Sequence, residues 1–265
     1  MIEEAAFIQV GALSDGFAPD SYILEVSNKL TGKTFQLNFA DTMQQIAVSF
    51  PADQQIKWKD AIVGCRITSI RSGVYFVNFI SPEDWRVGIT IIINEQDNNC
   101  VLLQGTLPTE TDIRISAFSK VEQNLPLTDV KIGIQRGTLD NKQGQAPTYT
   151  AELIGMRNMY TYNPKECYEH VYLNEQFYAW HCLDGVEKGL ADVDRCHYIK
   201  ISNNLYLFIW REKIIPTLGI ILIDLNEMRT DGGIMGYQDQ GFSSISLFPV
   251  GAHATILNKT DYPKA

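Results

Sequence analysis

An all-β fold, built as two tandem calycin/lipocalin-like antiparallel β-barrels related by internal duplication, is what this sequence predicts, and three observations lead to it. Twelve Tyr, twelve Phe and four Trp join many Val, Ile and Thr residues in short runs along 265 residues, a composition suited to half-buried pleated strands. Phe35, Leu37 and Phe39 alternate with Gln36 and Asn38, and Ile46, Val48 and Phe50 keep the same spacing. That is the period-two signature of antiparallel strands with one buried face. Finally, the two halves repeat. LTGKTFQLNF at Leu30 is echoed by LIGMRNMYTY at Leu153, and Trp58 and Trp180 lie at nearly the same separation. SGVYFVNFISPEDWRVGITIIIN resembles NNLYLFIWREKIIPTLGIILIDL, with Tyr75 over Tyr206 and Gly88 over Gly219.

The elements follow in order. Residues 1–29, with Gly11, Gly16 and Pro19, show no sustained periodicity and read as a lead-in wrapping the first barrel. Strands begin after Leu30, with turns at 71–73 and 94–99 where Gly and polar residues cluster. The repeat is too long for a solenoid or propeller blade and is domain-sized. Short antiparallel strands in such numbers close into a barrel because closure removes exposed edges, and a small barrel holds one small ligand. The predicted organisation is a lead-in plus a degenerate barrel over 1–130, a linker over 131–150 rich in turn-formers, and a second barrel over 151–265 that carries the site.

Composition removes several function classes. Acidic residues outnumber basic ones by 31 to 22 for a net charge of -9, so the concentrated basic surface that phosphate backbones require is missing and no nucleic-acid partner is expected. The longest apolar run, Ile89–Ile93, falls far short of the roughly 20 residues of a membrane span. MIEEAAFIQV has no basic region and no long apolar region, so no secretory signal is read and a cytoplasmic location is expected. Cys65, Cys100, Cys167, Cys182 and Cys196 are odd in number and contain no C-x-x-C pair, which fits free thiols better than disulfides or zinc. No phosphate-binding, dinucleotide, zinc-protease or nucleophile-elbow motif occurs, and GIMGYQDQG reads as a hairpin. The expectation is a small-molecule ligand or substrate, no cofactor and no metal, with homo-oligomerisation left open.

All four His residues and most of the Tyr residues fall in the second half. Tyr160 and Tyr162 share a strand face, and the same parity carries through Tyr168, His170 and Tyr172. If that face lines the barrel, buried phenols and imidazole demand hydrogen-bond partners, which an anionic ligand would supply. A satisfied aromatic core cluster or an aromatic exterior accounts for the same spacing. Trp180 and Tyr206, the repeat anchors of this half, complete the expected lining. Arg195 precedes one strand and Glu212 ends another. Inside a pocket, desolvation would raise the Glu212 pKa as general acid/base chemistry requires, with Arg195 lowering it. A structural ion pair or a solvated strand end fits these two residues equally well.

A family resemblance enters at these residues. Over its full length the chain resembles the MoaF family, through FIQVGALSDGFAP, YEHVYLN, GLADVDRCHYIKI, LYLFIWREKIIP and GAHATILN; the resemblance implies two lipocalin-type barrels and little about activity. The second half is also similar to phenolic acid decarboxylases, cofactor-free single barrels, at Tyr160-Thr161-Tyr162, Tyr168, Arg195 and Trp210-Arg211-Glu212. That resemblance implies Tyr160, Tyr162 and Arg195 as holders of the substrate and Glu212 as proton donor. Two departures bear on the pocket: a longer DGVEKGLADVD segment before Arg195, and His170 in place of an aromatic residue. The first half reads Phe35-Gln36-Leu37 and Ser81 at the corresponding places. The expectation is a cofactor-independent lyase or isomerase for a small aromatic or unsaturated carboxylic acid; the alternative is a non-catalytic, lipocalin-like small-molecule binding protein.

Overall fold

A computed structural model describes residues 6–140 and 142–263. Its first sheet holds nine strands: β1 (Thr34–Phe39), β2 (Gln44–Ser49), β3 (Gln55–Trp58), β4 (Ala61–Gly64), β5 (Arg66–Arg71), β6 (Val74–Ile80), β7 (Val87–Asn94), β8 (Asn99–Thr106) and β9 (Lys131–Leu139). The second holds β10 (Thr148–Tyr149), β11 (Met156–Thr161), β12 (Cys167–Tyr172), β13 (Phe177–Asp184), β14 (Ala191–Ser202), β15 (Leu205–Arg211), β16 (Thr217–Asp224), β17 (Arg229–Tyr237) and β18 (Ile245–Lys259). Every ladder is antiparallel. In the second sheet β14 also pairs with β15, which closes β11–β18 into an eight-stranded barrel with β10 beside the far end of β14. The first sheet is nearly closed, with β4 and β5 facing each other across its seam. The fold is therefore the pair of tandem antiparallel barrels that the alternation predicts.

The ladder registers show the duplication rung by rung. Phe35–Val48–Trp58 crosses β1 to β3 just as Asn158–His170–Trp180 crosses β11 to β13. Gly32 and Gly155 open the two copies in the left-handed region, at φ 80° and 86°, and each donates its N–H at the end of the copy's second strand, to Phe50 just past β2 and to Tyr172 of β12. Only glycine enters that conformation freely. The counterparts of Tyr160 and Tyr162 are consequently Leu37 and Phe39, two residues beyond the expected Phe35 and Leu37. Likewise Ile80 pairs with Gly88 while Arg211 pairs with Leu218, so the expected Gly88–Gly219 match is one rung out of step.

Each barrel has its own core, and a third core joins them. Interior side chains of the first barrel are mostly aliphatic or Phe; those of the second are dominated by Tyr, Trp and Phe. Between the barrels, outward residues of β6, β7 and β8 pack on outward residues of β14 to β17, including Phe76, Val101, Leu103, Leu207, Ile209 and Leu218. Strands β6 and β16 are thus buried on both faces, which is why they read as continuous apolar runs. At one edge of this interface Arg71 makes a bidentate pair with the buried Asp224, at 2.5 and 2.7 Å, and Thr68 donates to the buried Asp231.

Two expectations about the connecting segments are corrected. The lead-in does not simply wrap the first barrel. Its helix α1 (Val10–Phe17) lies against β17 and β18, with Val10, Leu13 and Phe17 in the second barrel's core. Three apolar residues on one helical face explain the choice, because the second barrel offers them an open aromatic mouth. The expected linker opens with β9, which pairs with both β1 and β8. Irregular chain before it carries the short helices α2 (Glu110–Ile113) and α3 (Ala117–Glu122). Among the described residues no helix is long and apolar enough to cross a membrane.

Candidate functional site

The mouth of the second barrel that α1 covers contains a pocket lined by Leu13, Phe17, Tyr162, Tyr168, His170, Tyr178, Trp180, Glu187, Trp210, Glu212 and Ile234. Water can enter about 30 Å³ of it, room for a water molecule or two. Phe17 packs on Tyr162 and Tyr168 with ring centroids 4.7 and 5.7 Å away. The His170 and Tyr178 ring centroids are 5.2 Å apart, and the buried His170 Nδ1 has no partner among the described residues. Burial pushes the His170 pKa down to about 3, so the imidazole is neutral across the physiological range.

Two carboxyl groups face this aromatic enclosure. Glu212 accepts a hydrogen bond from Trp210 Nε1 at 2.9 Å. Burial raises its pKa well above the usual carboxylate range, and Asp194 and Glu187 nearby push it further. Glu187 accepts from the Tyr168 hydroxyl at 3.1 Å, and burial lifts its pKa to about 7 despite that bond and one from the Ile8 backbone. Behind them Asp194 accepts from Trp180 Nε1 at 2.9 Å and from the Lys213 backbone at 3.2 Å. Its pKa too is raised by burial. Among the described residues that line the pocket there is no Lys or Arg. Two like-charged carboxylates in a low-dielectric enclosure cannot both ionise readily, so one holds a proton near neutral pH.

Glu187 comes from the longer loop between β13 and β14. Gly185 there has φ 127°, and a Cβ at that position would lie 1.9 Å from Glu166 Oε2. The buried Glu166 accepts from the Val186 N–H at 3.1 Å, and Leu190 N–H donates to the Glu187 carbonyl. The loop is thus folded back on Glu166, which turns Glu187 into the barrel. Sequence reasoning passed over Glu187, noting only the extra length of its loop. An acid flanked by two glycines was the available signal.

The structure brings Tyr162, Tyr168, His170, Trp180 and Glu212 together at the pocket. Tyr160 and Tyr172 lie deeper, fully buried, their hydroxyls 2.6 Å apart and Tyr160 also accepting from Asn158. Tyr206 is in the same core but turns its hydroxyl to Glu152 at 2.6 Å, away from the pocket lining. Arg195 is outside. Along β14 the inward residues are Asp194, Cys196 and Tyr198, and Arg195 is exposed between the first two. Strand parity decides the matter: the position expected to hold a ligand anion faces solvent, while its neighbour Asp194 faces in. Among the described residues no group of three or more His, Cys, Asp or Glu is placed to hold a metal ion.

Comparison with known proteins adds the following. Residues 5–109 match the MoaF N-terminal domain model and residues 147–260 match the MoaF C-terminal domain model. Protein MoaF of Klebsiella aerogenes is 48% identical over 260 residues, covering 98% of each chain. One solved structure, described as "a putative beta-lactamase" from Burkholderia vietnamiensis, aligns at 9% identity with a TM-score of 0.36, over 42% of this chain and 100% of that one. That likeness is too remote to bear on fold or function.

Proposed function

The chain belongs to the MoaF family, and from that premise we propose that its second barrel is a cofactor-independent lyase or isomerase acting by proton transfer on a small aromatic or unsaturated molecule. One observation carries the reading: Glu187 and Glu212 face one aromatic pocket, and both resist ionisation. A carboxyl with a pKa near 7 both gives and takes a proton at neutral pH, the property of an effective general acid or base. Glu212 donates a proton to the substrate and ionised Glu187 takes one from it, and passage of that proton from Glu187 to Glu212 resets the pair, with Tyr162, Tyr168 and the neutral His170 as hydrogen-bonding wall and Trp180 and Trp210 as stacking faces. Since Arg195 points away and no cation among the described residues lines the pocket, an acid substrate enters in its uncharged form. This is where the reading departs from the decarboxylase resemblance.

Hydroxycinnamic and related acids, and their neutral esters and aldehydes, form the assay panel, followed by ultraviolet loss, carbon dioxide release and deuterium uptake from solvent. Turnover or exchange in the wild type should fall at least about a hundredfold in Glu212→Gln, the scale of general acid–base contributions. Turnover unaffected by Glu212→Gln or Glu187→Gln would sink the assignment.

One observation favours the second reading, a binding protein. The pocket is covered by α1 and admits only a water or two, as in a carrier whose ligand displaces a lid. Saturable binding with neither product nor exchange would support it.

A further inference from the structure

Arg195 and Arg211 stand directly opposite each other on β14 and β15, outside the second barrel. Directly opposed strand residues have Cβ atoms about 5 Å apart, and like charges there repel. Among the described residues no carboxylate neutralises either guanidinium. Arg195 donates to the Gln176 side chain and lies over the Phe177 ring, 4.3 Å from its centroid. Arg211 donates Nη1 to the Val130 carbonyl at 3.1 Å, and its Nε is buried with no partner among the described residues. Burial and the facing Arg195 both lower the Arg211 pKa, so the arrangement is costly as it stands.

Both arginines open into a pocket of about 210 Å³ walled by Leu125, Pro126, Leu127 and Phe177. Lys213 reaches the same space, but Asp192 at 2.5 Å and Asp194 at 3.4 Å already meet its ammonium group. Among the described residues that leaves the two guanidiniums as the pocket's uncompensated charges. Leu125 and Leu127 remain 43% and 42% exposed at the rim, apolar area that a bare ion would leave uncovered.

We infer that this pocket is a second binding site, separate from the barrel interior, that takes a small organic monoanion whose carboxylate bridges Arg195 and Arg211 and whose apolar body covers Leu125, Leu127 and Phe177. Planar guanidinium groups present paired N–H donors that match the two oxygens of a carboxylate. The apolar wall of Leu125, Leu127 and Phe177 suits a carboxylate with an apolar body better than phosphate, which would leave that wall uncovered. An anion between the arginines removes their mutual repulsion and gives the buried Nε its partner. The inference is independent of any chemistry at Glu212.

Calorimetric titration of the full chain at low salt, with benzoate and separately with inorganic phosphate, tests it. Benzoate should bind saturably to the wild type and equally well to Glu212→Gln. Its affinity should fall about tenfold or more in Arg195→Gln and in Arg211→Gln, the loss expected for a charge-assisted bond, and recover in part in Arg195→Lys. Arg195 is solvent-facing, so its variants should keep the wild-type unfolding midpoint and isolate the binding effect. Benzoate affinity unchanged in both arginine variants, lost in Glu212→Gln, or absent altogether would overturn the site. Tighter binding of phosphate than of benzoate would overturn the monoanion assignment.

Discussion

The ring of Phe17 rests 4.7 Å from that of Tyr162, and through this contact a helix from the start of the chain closes the mouth of a barrel whose first strand begins at Met156. Phe17 is buried, and truncating a buried Phe typically costs about 3–5 kcal/mol. Partial exposure of the covered pocket to water brings the expectation for Phe17→Ala toward the lower end, about 3 kcal/mol. Denaturant unfolding measures it, and acrylamide quenching of Trp fluorescence should rise as Trp180 and Trp210 become accessible.

Gly185 supports Glu187 at a distance. A Cβ there would collide with Glu166 while the backbone holds φ 127°, so Gly185→Ala combines steric overlap with a conformation that L residues avoid. A loss of about 1–3 kcal/mol is expected. The Glu187 pKa should also drop toward the ordinary carboxylate range as the loop carries it out of the pocket, which a carboxyl titration of the variant reads directly.

Stability should depend on pH through Glu187. Its pKa of about 7 in the folded chain lies above the unfolded value of 4.5, so between these values the folded state binds the proton and the unfolded state does not. Stability is then present in full below about pH 4.5 and lost as pH rises through 7, by up to about 3 kcal/mol. In Glu187→Gln the slope should be shallower by that amount, with Glu212, Asp194 and Asp231, whose pKa values burial also raises, supplying the remainder. Urea unfolding midpoints across the range report the difference.

His197 reports on the arginine pair. Its imidazole is held down to about 4, first by burial and then by Arg211 and Arg195. Arg211→Gln should raise the His197 pKa, and Arg195→Gln should raise it by less. Bound benzoate should move it in the same direction in the wild type. Imidazole NMR titration follows all three.

The architecture was legible because alternation and duplication are backbone-level signals. A period of two specifies the face, and the Trp58 and Trp180 rungs kept their places in both copies. Gathering Tyr162, Tyr168, His170 and Trp180 into one lining followed from the same parity. What parity could not supply was its own origin on β14: Arg195 and Asp194 differ by one residue, and one residue exchanges inside for outside. Glu187 escaped because it rides on a loop, where no period applies and only the contact of Gly185 with Glu166 fixes direction. The packing of α1 on the second barrel was hidden for a third reason. Its apolar face is local, but its destination is a contact between residues 17 and 162 that no local pattern encodes.

The central claim is that a carboxyl in the second-barrel pocket keeps its proton to neutral pH. Carbon-13 NMR of the protein labelled at glutamate side-chain carboxyls, titrated from pH 3 to 9, tests this most directly. One resonance should titrate near 7 and disappear in Glu187→Gln, with a second, assigned through Glu212→Gln, staying protonated beyond the ordinary carboxylate range. If instead both of these carboxyls titrate below about pH 5, as ordinary glutamates do, the proton-transfer account of this pocket is wrong.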